Sequence, residues 1–248
     1  MNDCENLKKT FVSVKKNKSD VIEYVVIDGD STDKTKKILD NNSDIIDKCI
    51  SEKDFGIYDA MNKGLKLASG RYVMFLNSGD ELRDIERVIS DVDNIKSTSC
   101  PIILYGSEYS WSNSLSLVIF PQFRFCQMPT SHQAMIFNTN QAKLYGYNLK
   151  YKFSADYELY LRMTKNIQCE IFAFNKVIVK TAPVGVTGKF ITKYLNECYL
   201  INLEYNNQIF SLLRYFLEMG RYQVKNLIHI LLSDSIINQI RKIRGRKS

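Results

Sequence analysis

The sequence predicts an α/β protein built on an open sheet, mostly parallel in its first half, with helices on both faces. Three observations predict it. "VIEYVVI" (21–27) is a nearly continuous β-branched run, the pattern of a strand buried on both faces. "DGDSTDKTKKIL" follows at once with a turn, hydroxyl caps and an acid in the first helical turn, so the two form a βα unit. Strand and helix patterns then alternate through the first hundred residues, the order of a sheet covered by its own crossover helices.

Each element has its own signal. In "ENLKKTFVSVKK" (5–16), Leu7, Phe11 and Val14 share one helical face with lysines opposite. "KCISEK" (48–53) is a short strand, and "GIYDAMNKGLKLA" reads as a helix ending at Gly70. "RYVMFL" (71–76) is the next strand, with a helix expected from about Glu81. From Pro101 the pattern turns strand-rich, with "IILYG", "SLVIF", "AMIFN", "CEIFAF" and "KVIVK" as β candidates around one helix, "ADYELYLRMTK". The whole sheet is therefore expected to be mixed. After about Ile201 the chain reads as helical: Leu213, Phe216, Leu217, Val224, Leu227, Ile228 and Leu231 trace an apolar stripe, and "RKIRGRKS" closes the sequence. A main domain over 1–200 and amphipathic basic helices over 201–248 are the expected organisation.

Composition removes several classes. A chain of 248 residues with 45% hydrophobic and 25% charged residues is an ordinary folded protein, neither disordered nor fibrous. Its six cysteines form no CxxC pair, so they read as free thiols in a reducing cytosol. "NDCENLKK" has no apolar leader core, and no run is long enough to span a bilayer. The net charge of +7 is concentrated: residues 205–248 hold eight Lys/Arg against two acids, and the body is close to neutral. No nucleic-acid partner is expected from such a body. The absence of a GxGxxG after the first strand argues against a dinucleotide-dependent oxidoreductase.

Four blocks, "YVVIDGDSTDKT", "SEKDFGIYDAMNKGLKLASGRYVMFLNSGD", "SHQAMIF" and "FSADYELYLRM", occur in an order that resembles the family 2 glycosyltransferases of the GT-A fold. Within that family the likeness is to bacterial enzymes that build polysaccharide repeat units. It covers roughly residues 3 to 165. The resemblance implies a Rossmann-like GT-A sheet and a nucleotide diphosphate sugar donor. It also implies a saccharide or lipid-linked acceptor and Mg²⁺ or Mn²⁺ as cofactor. Such transfer needs a nucleoside pocket, neutralisation of the departing diphosphate and a base for the acceptor hydroxyl.

The candidate residues follow from the blocks. Asp28, just past a buried strand, is by resemblance the nucleotide-binding acid; turn and cap chemistry is the alternative for the whole "DGDSTD" stretch. Asp59 and Asn62 lie three apart on one helical face, where both can point toward the nucleotide, or Asp59 can simply cap. In "NSGD" the family commonly carries Asp-x-Asp, so Asp80 is the one charged metal ligand left and Asn77 the candidate sugar or metal contact. Here too a strand-to-helix turn capped by Asp80 or Ser78 is the alternative. His132 is expected by the acceptor and the metal, or as a structural histidine. Asp156 is by resemblance the general base of an inverting single displacement, with Glu158 as its rival. A non-catalytic GT-A-like binding module is the competing reading for the whole chain.

Two expectations concern the ends. In the resemblance a first strand should lie between 21–27 and 71–76, and this sequence opens beyond it. With strands ~4.8 Å apart, its absence opens a gap of ~10 Å between unpaired edges, so either an upstream start supplies it or the chain is a weakened relative. The basic C-terminal helices are expected to lie either on the catalytic domain or on an anionic membrane, at the cytoplasmic face, where a lipid-linked acceptor would be met.

Overall fold

A computed structural model describes residues 2–95, 101–109, 114–116, 128–166, 169–182 and 190–231. Helix α1 (Cys4–Asn17) buries Thr10, Phe11 and Val14, the face its spacing marks as apolar. Strand β1 (Val25–Asp28) pairs in parallel with β2 (Lys48–Ser51), Val25 opposite Lys48 and Asp28 opposite Ser51, with α2 (Thr35–Asp40) as the crossover. Helix α3 (Ile57–Leu67) turns Tyr58, Met61 and Leu65 inward at helical spacing.

The second sheet is mixed. It comprises β3 (Tyr72–Val73), β4 (Glu81–Leu82), β5 (Ile102–Tyr109), β6 (Ser114–Ser116), β7 (Met135–Asn138) and β8 (Ile171–Thr181), in the order β3-β7-β5-β8-β4 with β6 beside β5. Only β5 and β8 run parallel; the other pairs are antiparallel. Both faces are buried by alternation. Ile102, Leu104, Met135 and Phe137 pack with α3 and with α6 (Ala155–Asn166), whereas Ile103, Tyr105 and Ile136 pack with α4 (Ile85–Asp93). Helices α5 (Thr139–Tyr145), α7 (Ile191–Tyr205) and α8 (Gln208–Leu231) complete the described chain. No helix among the described residues is long and apolar enough to cross a membrane.

Several local expectations are corrected. The helix expected from Glu81 starts at Ile85 instead, because Glu81 and Leu82 pair with Lys180 and Val179 of β8, a partner about a hundred residues away. "CEIFAF" and "KVIVK" are one strand, β8. Helix α5 has no counterpart in the sequence reading; Asn138 caps it by accepting from the Gln141 N–H at 3.2 Å. The C-terminal helical region begins at Ile191, and Ile201 is fully buried in the middle of α7. Most of "SLVIF" and the closing "RKIRGRKS" lie outside the described residues.

The gap expected beside the first strand is present. Among the described residues, only Tyr72 and Val73 of "RYVMFL" join a ladder, with β7, and β1 pairs only with β2. Between the free edges of β1 and of the segment from Tyr72 to Leu76 lies a cavity of ≈ 970 Å³, walled by α1, α3 and α4.

Candidate active site

The loop after β3 is a closed turn. The Asp80 N–H donates to Asn77 O at 3.0 Å, and the Asn77 N–H donates back to Asp80 Oδ2 at 2.9 Å. Gly79 has φ +92°, and a Cβ there would stand 2.9 Å from that of Ala182 and 3.1 Å from that of Asn6, so the position admits only glycine without displacement. Asp80 is 1% exposed and also accepts from Gln133 Nε2 at 3.0 Å and from the Ala182 N–H at 2.8 Å. Its carboxylate therefore holds the turn, β8 and the segment after Ser131 together.

The turn aims Asn77 at His132. Asn77 Nδ2 is 3.1 Å from His132 Nε2, and His132 Nδ1 is 3.3 Å from Asp156 Oδ2. Since a carboxylate only accepts and an amide NH₂ only donates, the pattern assigns the Nδ1–H tautomer to His132. Asp156 begins α6 and receives two more donors on Oδ1: the Tyr58 hydroxyl at 3.1 Å and the Tyr157 N–H at 2.9 Å. Burial, reinforced by the charge on Asp156, pushes the Tyr58 phenol well above its ordinary pKa, so Tyr58 stays a donor. Oδ1 is thus filled, and Oδ2 keeps a lone pair beyond the one facing His132.

Four residues singled out separately in the sequence, Asn77, Asp80, His132 and Asp156, thus form one hydrogen-bonded chain. The rival base Glu158 is not part of it. It is 1% exposed and bonded to Arg162 Nη2 at 3.0 Å and the Tyr205 hydroxyl at 2.8 Å, which fixes it inside the α6–α7 core.

Asp28 stands at the carboxyl end of β1, where it accepts from the Ser31 N–H at 3.0 Å and from the hydroxyls of Ser31 and Ser51. Burial works to raise its pKa, yet those hydrogen bonds outweigh burial and leave it below the ordinary carboxylate range. It borders the cavity that Asn77 and Ser78 also border, so Asn77 is common to both groups. Asp59, in the first turn of α3, accepts from the Phe55 N–H just ahead of the helix at 3.0 Å and lies 3.7 Å from Lys63 Nζ. Asn62 donates to Tyr147 O at 2.9 Å and accepts from the Tyr147 N–H at 2.7 Å. Both amide ends are engaged by the backbone of that one residue, so Asn62 ties α3 to the segment between α5 and α6.

Two residues of the site were not read from the sequence. Tyr58 carries only the signal of the apolar face of α3. Asp54 belongs to no periodic pattern, yet it sits over Gly29, where an added Cβ would come 2.3 Å from its Oδ2.

The expected metal ligands fit a cation poorly. Asp80 is 1% exposed and already accepts from three protein donors, two on Oδ2 and one on Oδ1, while both nitrogens of His132 are engaged. Among the described residues no group of three or more His, Cys, Asp or Glu is placed to hold a metal. A cation at Asp80 would have to reach a carboxylate that is 1% exposed.

A mixed α/β sheet with helices on both faces is the fold of the GT-A glycosyltransferases. The chain is similar in fold to solved enzymes of this type. For Staphylococcus aureus TarS (residues 1–349) solved with UDP, the TM-score is 0.66 at 15% identity, over 96% of this chain and 75% of that one. For a mannosyltransferase from Pyrobaculum calidifontis solved with GDP-Man and Mn²⁺, it is 0.56 at 13% identity, over 89% and 61%. The chain belongs to glycosyl transferase family 2, whose model matches residues 1–158. An uncharacterised glycosyltransferase of Mycobacterium tuberculosis is 31% identical over 193 residues, 75% of this chain and 73% of that protein. A PGL/p-HBAD biosynthesis glycosyltransferase of Mycobacterium bovis is 28% identical over 156 residues, 58% and 59% of the two chains. The protein is a glycosyltransferase; a non-catalytic module is not favoured.

Proposed function

We propose that the protein transfers a sugar from a nucleotide diphosphate sugar to a hydroxyl of a saccharide or lipid-linked acceptor, with inversion, in the synthesis of a surface polysaccharide or glycolipid. The observation that carries this reading is the chain of hydrogen bonds ending on Asp156, whose Oδ2 has a lone pair free while Tyr58 and the Tyr157 N–H fix Oδ1. Asp156 Oδ2 takes the acceptor hydroxyl proton. The acceptor oxygen forms its bond to the anomeric carbon, the bond from that carbon to the diphosphate oxygen breaks, and its electron pair leaves with the nucleoside diphosphate. Asp80, the other carboxylate in this chain of bonds, is 1% exposed and held by three protein donors, which leaves Asp156 to act as base and supports a single displacement that inverts the centre. Asp28, with Asp54 beside it, is assigned to the nucleoside. The relatives solved with UDP and GDP-Man support nucleotide-sugar binding as a class without choosing between the bases.

Helix α8 exposes Leu213, Phe216, Leu217, Val224 and Leu227, the stripe read from the sequence. Lysines and arginines dominate the sequence beyond it. This combination supports peripheral attachment to an anionic, cytoplasmic membrane surface that presents a lipid-linked acceptor.

The base assignment is tested with Asp156→Asn. Deleting a general base should lower kcat by about 10²–10⁴-fold, while UDP-sugar or GDP-sugar binding measured by thermal shift stays intact. Full turnover by the Asn variant would refute the assignment.

A further inference from the structure

Helix α7 lies beyond the residues that match the family model, yet it grips α6 on both sides of Asp156. After Asp156, the Tyr157 hydroxyl donates to Asn202 Oδ1 at 2.6 Å, and the Tyr205 hydroxyl donates to Glu158 at 2.8 Å. Ahead of it, Glu197 accepts from the Lys152 N–H at 2.9 Å, the Phe153 N–H at 2.8 Å and the Ser154 hydroxyl at 3.2 Å. One carboxylate thus takes up a donor from each of three consecutive residues that lead into α6.

The bond to Ser154 bears directly on the base. Ser154 O accepts from the Glu158 N–H at 3.1 Å, so Ser154 is the N-cap of α6. A serine at that position ordinarily turns its hydroxyl oxygen to the N–H of the second or third helical residue, here Asp156 or Tyr157. In this protein the hydroxyl points the other way, to Glu197, with the Tyr194 carbonyl at the limit of a hydrogen bond, 3.5 Å off. The Tyr157 N–H goes instead to Asp156 Oδ1 at 2.9 Å. Asp156 therefore takes over the cap's task, and the bond it makes in doing so leaves Oδ2 turned to His132. Ser154 is fully buried, so a hydroxyl released by Glu197 would find the Tyr157 N–H before it found water.

We propose that Glu197 is a positioning residue for the base: by holding the Ser154 hydroxyl and the two N–H groups ahead of it, Glu197 reserves the Tyr157 N–H for Asp156 and so fixes the orientation of the Asp156 carboxylate. The role rests on the reading of Asp156 as the general base, and Glu197 acts through Asp156 without touching substrate. It requires a carboxylate, because three donors converge on two oxygens and the amide of a glutamine would turn an NH₂ toward one of them. The charge also stands beside the first turn of α6, where the helix dipole favours an anion.

The test uses the full chain, whose two histidines, His132 and His229, give two sets of ring signals on ¹⁵N-histidine labelling, assigned with His229→Gln. The reporter is exchange of the His132 Nδ1–H with water, slow while that proton is bonded to Asp156 Oδ2. Glu197→Gln should speed the exchange about tenfold or more, the size expected when a bond to a charged acceptor is lost. It should lower kcat for transfer from a UDP-sugar or GDP-sugar by a similar factor, with the donor KM unchanged. Adding Ser154→Ala removes the competing hydroxyl and should make the exchange slow again. Tyr151→Phe is the comparison: it deletes the Tyr151 hydroxyl's bond to Glu204 at 2.9 Å, which joins the same two elements without involving the three donors, and should leave exchange and kcat unchanged. Unchanged exchange in Glu197→Gln, no recovery on adding Ser154→Ala, or an equal effect of Tyr151→Phe would overturn the proposal. Faster exchange in Glu197→Gln, in a protein that transfers no sugar, would keep the positioning of Asp156 and count against the transferase reading instead.

Discussion

Glu23 is a clasp between the half-sheets, and its removal has a calculable cost. Its carboxylate accepts from the Ser69 N–H and hydroxyl at 2.6 and 2.8 Å, and Lys48 Nζ lies 2.5 Å away. Burial acts to raise its pKa, but Lys48 and Ser69 outweigh burial and pull the carboxyl from 4.5 down to about 2. At about 1.4 kcal/mol per unit the full shift corresponds to about 3 kcal/mol. Lys48 is 39% exposed, and solvent screens a pair of that kind, so a contribution of about 1–2 kcal/mol is expected. A carboxyl whose folded pKa is depressed stabilises the fold above its unfolded pKa and loses that contribution as pH falls toward the folded one. Glu23→Gln should therefore unfold in urea with about 1–2 kcal/mol less stability at pH 7, equivalent to a midpoint lower by about 5 °C. The deficit should shrink steadily as the buffer is taken from about pH 5 to about pH 3. Equal stability at neutral pH, or a deficit that does not change with acid, would refute the reasoning.

Tyr58→Phe keeps the ring stacked on Tyr147, with centroids 5.5 Å apart, and deletes only the donor to Asp156. Losing a hydrogen bond to a charged acceptor should lower kcat about tenfold or more with little change in KM. A change in KM alone would show that Tyr58 does not position the base. For the membrane reading, Leu213→Glu with Leu217→Glu alters residues 54% and 58% exposed and should spare the fold. The pair should abolish pelleting with phosphatidylserine vesicles, and undiminished pelleting would remove the membrane role.

The blocks that carry the site are legible because each is local. Apolar spacing marks α1 and α3, β-branched runs mark β1, β5 and β7, and Asp156 announces the start of α6. What misled was the assumption that a side chain singled out by a motif faces a ligand. Asn62 bonds the backbone of a residue 85 positions away, Asp59 accepts from the Phe55 N–H just ahead of its own helix, and Asp80 is enclosed by donors from Gln133 and Ala182. Tyr58 was passed over for the complementary reason: its ring satisfies the helical pattern, and only the folded chain shows where its hydroxyl ends.

The sequence by itself determined the α/β class, the order of the blocks and the family, because period, turn chemistry and motif spacing are properties of neighbouring residues. It also located the gap beside β1. Tertiary structure alone decided which side chains meet. The link from Asn77 to His132 spans 55 positions and continues to Asp156, the helix expected at Glu81 yields to a strand because β8 offers a partner, and β1 and the segment Tyr72–Leu76 come to flank one cavity. Hydrogen bonds and packing act over ångströms of space, and distance along the chain does not encode them.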